Sequence, residues 1–275
     1  MPELPEVETV RRHLAGTLPG RQVADVEVLL PRIVRNAEPG AFAAGVRGRR
    51  FAGVGRRGKF LLLDLDDRSC IVVHLRMTGR LTVDAQDAVR HPHTRVVFVL
   101  EGGDELRFTD TRTLGTVHWL SGRNDPAGPP GLARMGVEPL SEEFTPQVLA
   151  SLASGRRAPI KAFLLDQRQV AGLGNIYADE ALFRAGIDPR RPAGSLSAAE
   201  IERLWRAVRA VLGDALANGG TTIRDYVNGE GAPGRFQEWL AVYGRSGRPC
   251  PRCGTAVARI VRSGRSWHWC PGCQR

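Results

Sequence analysis

The sequence predicts a two-domain α+β protein: an N-terminal β-sandwich opened by a short helix, and a C-terminal helical domain closed by a four-cysteine metal hairpin. Three observations lead there. Residues 21–120 hold many short apolar segments separated by turn signals. From residue 145 the apolar period becomes helical. The C-terminus carries two C-x2-C pairs. At 275 residues the chain also exceeds one typical domain.

Leu4, Val7, Val10 and Leu14 recur at helical spacing and predict a helix over residues 4–16. Pro5 suits its first turn, and Glu6 and Glu8 suit its positive end. The segments QVADVEVLL, FLLLDLD, SCIVVHL, TRVVFVLE, ELRFTD and TVHWL then read as strands. Asp66-Asp67 and Gly102-Gly103 mark turns between them, and such closely spaced strands argue for a sandwich or barrel. The breaker-rich run SGRNDPAGPPG (121–131) approaches a boundary. The reading places an N-terminal domain at 1–130, a linker at 131–144, a helical domain at 145–240 and a cysteine-bearing hairpin at 241–275. Thr145-Pro146 caps the first C-terminal helix. PIKAFLLDQ and NIYADEALFRAG form two more helices around the tight turn AGLG. Ser197 and Glu200 make a capping box for a long helix ending near Asn218-Gly219-Gly220.

The formal net charge is +10, which attracts polyanions, and nucleic acid is the commonest of these inside cells. Of 39 basic residues only Lys59 and Lys161 are lysines, which marks them for tasks suited to a compact point charge. No apolar run is long enough to span a membrane, and the acidic start MPELPEVETV does not resemble a signal peptide. A soluble cytoplasmic protein follows.

Cys70 lies in an apolar strand and is expected to be an inert core residue. Cys250, Cys253, Cys270 and Cys273 fit the four-cysteine template for one structural Zn2+, because four thiolates leave no open coordination position. The segment between the pairs reads as a β-hairpin turning at Ser263-Gly264. Residues 241–275 are rich in arginine and contain no acidic residue. Arg265, near the hairpin tip, is therefore expected to contact phosphate.

Removal of Met1 exposes the secondary amine of Pro2. Such an amine attacking a sugar C1′ yields a cationic iminium directly, an electron sink that acidifies the neighbouring C–H bond. The reference pKa of an α-amino group is about 7.7–8.0, so a useful fraction is neutral near pH 7. Glu3, next to it, can shuttle protons.

The set PELPEVET (2–9), RRGKFLL (56–62), HLRMTGRL (74–81), LLDQRQVAGLGNIYADEALF (164–183), GGTTIRDYV (219–227) and the terminal cysteine pairs resembles the bacterial formamidopyrimidine-DNA glycosylase family along nearly the whole chain. The resemblance implies a helix–two-turns–helix motif in the C-terminal domain. It implies excision of oxidised purines from damaged double-stranded DNA by a monomer, followed by β,δ-elimination. It further implies Pro2 as nucleophile, Glu3 as catalytic acid, Glu6 as a supporting acid, and Lys59 and Arg265 as catalytic residues that bind phosphate. Asn175 would grip the backbone, His91 would bind DNA, and Met77 would fill the gap left by the flipped base. Arg112 would contact the orphaned cytosine. Leu114 stands where the family pattern has an aromatic, which leaves the opposite-base rule open. Tyr226 belongs to a segment resembling the loop that closes over an extruded purine. Two alternatives remain: an endonuclease VIII-like enzyme acting on oxidised pyrimidines, and a lesion-binding protein with no catalysis.

Overall fold

The computed structural model describes residues 2–222 and 233–275, so Tyr226 lies outside the described residues. The chain divides into two compact units, Met1–Arg134 with Gly219–Arg235, and Met135–Asn218 with Phe236–Arg275.

The first unit opens with helix α1 (Leu4–Thr17), whose apolar positions Leu4, Val7, Val10 and Leu14 are all buried. Glu3 is its N-cap, and Glu3 and Glu6 form a capping box that satisfies donors at the helix start. Eight strands follow: β1 (Val23–Val28), β2 (Phe51–Arg57), β3 (Phe60–Leu65), β4 (Cys70–His74), β5 (Gly79–Ala85), β6 (Thr94–Leu100), β7 (Asp104–Asp110) and β8 (Thr116–Leu120). They form two antiparallel four-stranded sheets in the orders β1-β6-β7-β5 and β2-β3-β4-β8. Inward residues from both sheets, among them Leu61, Leu63, Ile71, Val73, Phe98 and Phe108, join Val7, Val10 and Leu14 of α1 in one core. This is one of the two architectures, sandwich or barrel, that the closely spaced strands predict.

Two strands and an α-helix of the first unit escape the sequence reading. Strand β2, FAGVGRR, carries two glycines and two arginines. Its strand state comes from pairing with β3, an interaction that no local signal announces. Strand β5, GRLTVDA, is half polar and pairs with β7. Helix α2 (Pro39–Val46) is only two turns long and is held by burying Phe42 and Val46. Cys70 is fully buried, and desolvation pushes its thiol up to about 12, so it is a core residue.

The second unit contains α3 (Pro146–Ala153), α4 (Ile160–Leu165), α5 (Asn175–Ala185) and α6 (Ala198–Ala217). Their ends follow the predicted signals. Thr145 Oγ1 accepts the N–H of Val148 at 3.2 Å, and Ser197 with Glu200 forms the capping box of α6. Gly186 ends α5 in the left-handed conformation. Strands β9 (Ala258–Arg262) and β10 (Arg265–Trp269) pair antiparallel around Ser263-Gly264, both at positive φ. Among the described residues no helix is long and apolar enough to cross a membrane.

The chain rejoins the first unit at Gly219–Arg235, a stretch that the sequence reading places in the helical domain. The attachment is specific: the backbone N–H of Thr221 donates to Glu6 of α1 at 2.7 Å.

Candidate active site and zinc centre

In the first unit Pro2, Glu3 and Glu6 are all buried at the opening of α1. Glu6 Oε2 accepts the N–H of Glu3, and Glu6 Oε1 accepts the N–H of Thr221, each at 2.7 Å. Both oxygens of Glu6 are thus engaged by backbone donors, which fixes Glu3 and, through it, the position of Pro2. Gly220 has φ +84°, and a Cβ there would lie 2.8 Å from Glu6 Oε1, so only glycine permits this approach.

Lys59 sits in the turn between β2 and β3 with 6% of its surface exposed. Arg56 holds that turn to α1: its Nε donates to Glu8 Oε2 at 3.0 Å and its Nη1 to the carbonyl of Gly58 at 2.9 Å. Glu8 also accepts from Arg11. Burial opposes ionisation of Glu8, but these guanidiniums outweigh it and hold its carboxyl below the ordinary value. Nearby, His74 stacks edge-on against Phe60 at 4.6 Å and accepts the N–H of Arg76 at Nδ1. Burial first, then the charges of Arg76 and Lys59, push His74 down to about 3, so it is neutral.

Met77 and Leu114 are exposed apolar residues, at 39% and 45%, in the turns that precede β5 and β8. Arg112 projects from the second of these turns and is exposed. His91, also exposed, lies between β5 and β6; its Nδ1 accepts the N–H of His93 at 3.1 Å.

In the second unit Asn175 occupies the first turn of α5, and its Nδ2 donates to the carbonyl of Ser266 at 2.9 Å. Arg265, exposed, immediately precedes that residue on β10. Lys161 Nζ donates to the same carbonyl at 2.9 Å and pairs with Asp179 at 2.6 Å, both side chains being fully buried. Asp179 Oδ2 also accepts the N–H of His268 at 3.1 Å. The hairpin carrying Arg265 is therefore pinned to the helix carrying Asn175 through one carbonyl and one carboxylate. Glu180, next along α5, accepts three successive backbone N–H groups, from Ala241, Val242 and Tyr243, at 2.8–2.9 Å. That anchors the chain entering the cysteine segment.

The sulfurs of Cys250, Cys253, Cys270 and Cys273 all lie within 4.8 Å of one another. Cys250 Sγ is 3.8 Å from Cys273 Sγ, and Cys253 Sγ is 3.4 Å from Cys270 Sγ. A tetrahedral Zn2+ with bonds of about 2.3 Å needs sulfurs about 3.8 Å apart, so the donor set fits it. Beneath the cysteines Phe183, Val242 and Val257 form a small separate core.

Sequence reasoning did not single out Asp110, Thr78, Asp179 or Glu180. The last two had a signal: adjacent acids inside an otherwise apolar helix, where a carboxylate needs a partner to be buried.

These features define a two-unit α+β protein with a capped N-terminal helix on a sandwich and a four-cysteine finger on a helical unit. The family profiles "Formamidopyrimidine-DNA glycosylase N-terminal domain", "Formamidopyrimidine-DNA glycosylase H2TH domain" and "Zinc finger found in FPG and IleRS" match residues 1–117, 135–227 and 247–275. The chain is 50% identical over 276 aligned residues to a formamidopyrimidine-DNA glycosylase of Geobacillus kaustophilus, covering 100% of both. It is similar to the crystal structure of the MutM (FPG) protein from Thermus thermophilus, with 46% identity, TM-score 0.89 and coverage of 99% and 98%. It is also similar to the Lactococcus lactis protein crystallised with a Fapy-dG containing DNA, with 34% identity, TM-score 0.90 and coverage of 99% and 100%. The chain belongs to the formamidopyrimidine-DNA glycosylase family. Its four clustered cysteines hold one structural zinc.

Proposed function

We propose that this protein is a bifunctional DNA glycosylase and abasic-site lyase that removes oxidised purines, 8-oxoguanine and formamidopyrimidines, from duplex DNA. The observation that carries the reading is the buried Pro2-Glu3 pair, locked at the start of α1 by the two backbone hydrogen bonds to Glu6.

With Met1 removed, the Pro2 nitrogen attacks C1′ of the damaged nucleotide. The C1′–N bond to the base breaks, and Glu3 supplies a proton to the departing base or to the ring oxygen. Loss of the proton from Pro2 frees the nitrogen lone pair to open the sugar ring at the C1′–O4′ bond, O4′ taking up a proton as it departs, and leaves an iminium at C1′. This cation draws electrons from the C2′–H bond, and the 3′ phosphate leaves as that proton departs. A second elimination releases the 5′ phosphate, and water frees the proline. Glu6 acts as a supporting acid by holding Glu3. Lys59, Asn175 and Arg265 bind phosphates, and their charge-assisted contacts offset the few kcal/mol of extruding a nucleotide. Met77 fills the vacated stack, Arg112 reads the orphaned cytosine, Leu114 wedges beside it, and His91 binds DNA. Tyr226 is assigned to the loop over the extruded purine. The bound zinc supplies rigidity to the hairpin that carries Arg265, not chemistry at the sugar.

The working state is a monomer in the bacterial cytoplasm, on the nucleoid when DNA is bound. Excision rates on duplexes holding 8-oxoguanine or thymine glycol test the substrate class. Faster release of 8-oxoguanine is expected. Preference for thymine glycol supports the endonuclease VIII-like reading, and tight binding without release of either base supports a pure lesion binder.

A further inference from the structure

We propose that Asp110 is a positioning residue for opposite-base recognition: its buried carboxylate sets the turn bearing Met77 against the turn bearing Arg112 and Leu114. The inference rests on the reading that these three side chains enter the DNA.

Asp110 ends β7 and is fully buried. Its Oδ1 accepts the Thr78 hydroxyl, from the residue after Met77, and the N–H of Arg112 at 3.2 Å. Its Oδ2 accepts the N–H of Gly115, the residue after Leu114, at 2.7 Å. Thr78 Oγ1 in turn accepts the N–H of Arg112 at 3.1 Å. One carboxylate and one hydroxyl thereby join three backbone positions, each at or beside a residue assigned to the DNA.

The two turns share a second property. Arg76, just before Met77, has φ +55°, and Thr113, just before Leu114, has φ +53°. Non-glycine residues seldom adopt that conformation, and it narrows the backbone paths open to each turn. Gly115 adds a third restraint, since a Cβ there would lie 2.5 Å from the Phe108 ring. Met77 and Leu114 line one open pocket of about 570 Å3. Two exposed apolar side chains at turn tips would ordinarily wander. Here the backbone on either side of each is fixed, and the Asp110 bonds set their separation.

An amide cannot replace this carboxylate. Asn would turn an NH2 group toward either the Gly115 N–H or the donors at Oδ1, leaving buried donors facing each other.

The test compares Asp110→Asn, Thr78→Val and Thr78→Ser with wild type. Single-turnover release of 8-oxoguanine is measured opposite cytosine and opposite adenine, alongside nicking of a preformed abasic site. Asp110→Asn and Thr78→Val are expected to lower the cytosine-to-adenine ratio by about tenfold, inside the roughly 100-fold that a misplacement of about 1 Å can cost. Nicking of the abasic site should fall less, and Thr78→Ser, which keeps the hydroxyl, should restore the ratio. Equal loss of every activity at an unchanged ratio overturns the proposal. Should Asp110→Asn fail to fold, Thr78→Val carries the same comparison with volume conserved. Arg112→Ala and Leu114→Ala separate the two levels of the argument. If they shift the ratio while Asp110→Asn and Thr78→Val do not, Asp110 has no such role. If they leave it unchanged, the assignment of Arg112 and Leu114 is itself wrong, and the inference falls with it.

Discussion

The carboxylate of Glu6 accepts the backbone N–H of Thr221 at 2.7 Å, across 215 positions of sequence. Its other oxygen holds the N–H of Glu3. One side chain therefore couples the start of α1 to the segment leading into residues 223–232. Glu6→Gln must point an amide NH2 at one of these donors. The expected cost is about 1–3 kcal/mol of stability, with both base release and strand nicking reduced. Denaturant melts and single-turnover assays on the same preparation check this; unchanged nicking would contradict it.

The Lys161–Asp179 pair is fully buried and shares its surroundings with Ser266 and His268. Removing one partner strands a charge, so Lys161→Met is expected to destabilise by about 3–5 kcal/mol. Pairing it with Asp179→Leu removes both charges and should recover a good part of that loss. A double-mutant cycle in urea measures the coupling. Additive losses in the double variant would show that the two side chains do not act as a pair.

Acid should weaken the fold through two histidines. Burial, reinforced by neighbouring cations, holds His74 at about 3 and His118 at about 4, against 6.5 for the free side chain. Below pH 6.5 the unfolded chain takes up protons that the folded chain refuses, so stability falls as pH falls. Each fully refused proton contributes a slope approaching about 1.4 kcal/mol per pH unit, ending near each folded value. His118→Phe should flatten the slope of stability against pH between 6.5 and 4. An identical slope in the variant would refute the assignment.

Stripping zinc with a chelator should unfold the finger while leaving the helices of the second unit in place, because those helices contribute a single residue, Phe183 of α5, to the small core on which the cysteines rest. Loss of the ordered hairpin removes the arginine assigned to phosphate. DNA affinity is expected to fall at least about tenfold with a shallower salt dependence. Circular dichroism and fluorescence anisotropy follow the two effects, and zinc should reverse both. Undiminished affinity in the apoprotein would remove Arg265 from the phosphate-binding set.

Lys59→Ala should weaken binding and activity on every lesion alike, since a phosphate contact carries no base information. Leu114→Phe should alter mainly the opposite-base ratio. A lesion-selective effect at Lys59, read from excision rates on several duplexes, would contradict its role.

Much of this is legible in the sequence because the signals are local. The spacing of Leu4, Val7, Val10 and Leu14 sets α1, and Ser197 with Glu200 sets the start of α6. The cysteine spacing marks the metal centre, and Ser263-Gly264 marks the hairpin turn. What escapes is non-local. Strand β2 has little strand character until β3 pairs with it. The Glu6–Thr221 bond joins residues that no pattern relates, which is why Gly219–Arg235 reads with its sequence neighbours. Asp110 looks like any acid in FTDTRTLG. Its importance lies in three hydrogen-bond donors that only the folded turns bring to it.

Reductive trapping addresses the chemistry most directly. The processed, zinc-loaded protein is mixed with abasic duplex DNA and borohydride, digested, and mapped by mass spectrometry. The account predicts a deoxyribose adduct on the Pro2 nitrogen, lost in Pro2→Gly or when Met1 is retained. An adduct on Lys59 or another side chain, or none at all, would contradict it.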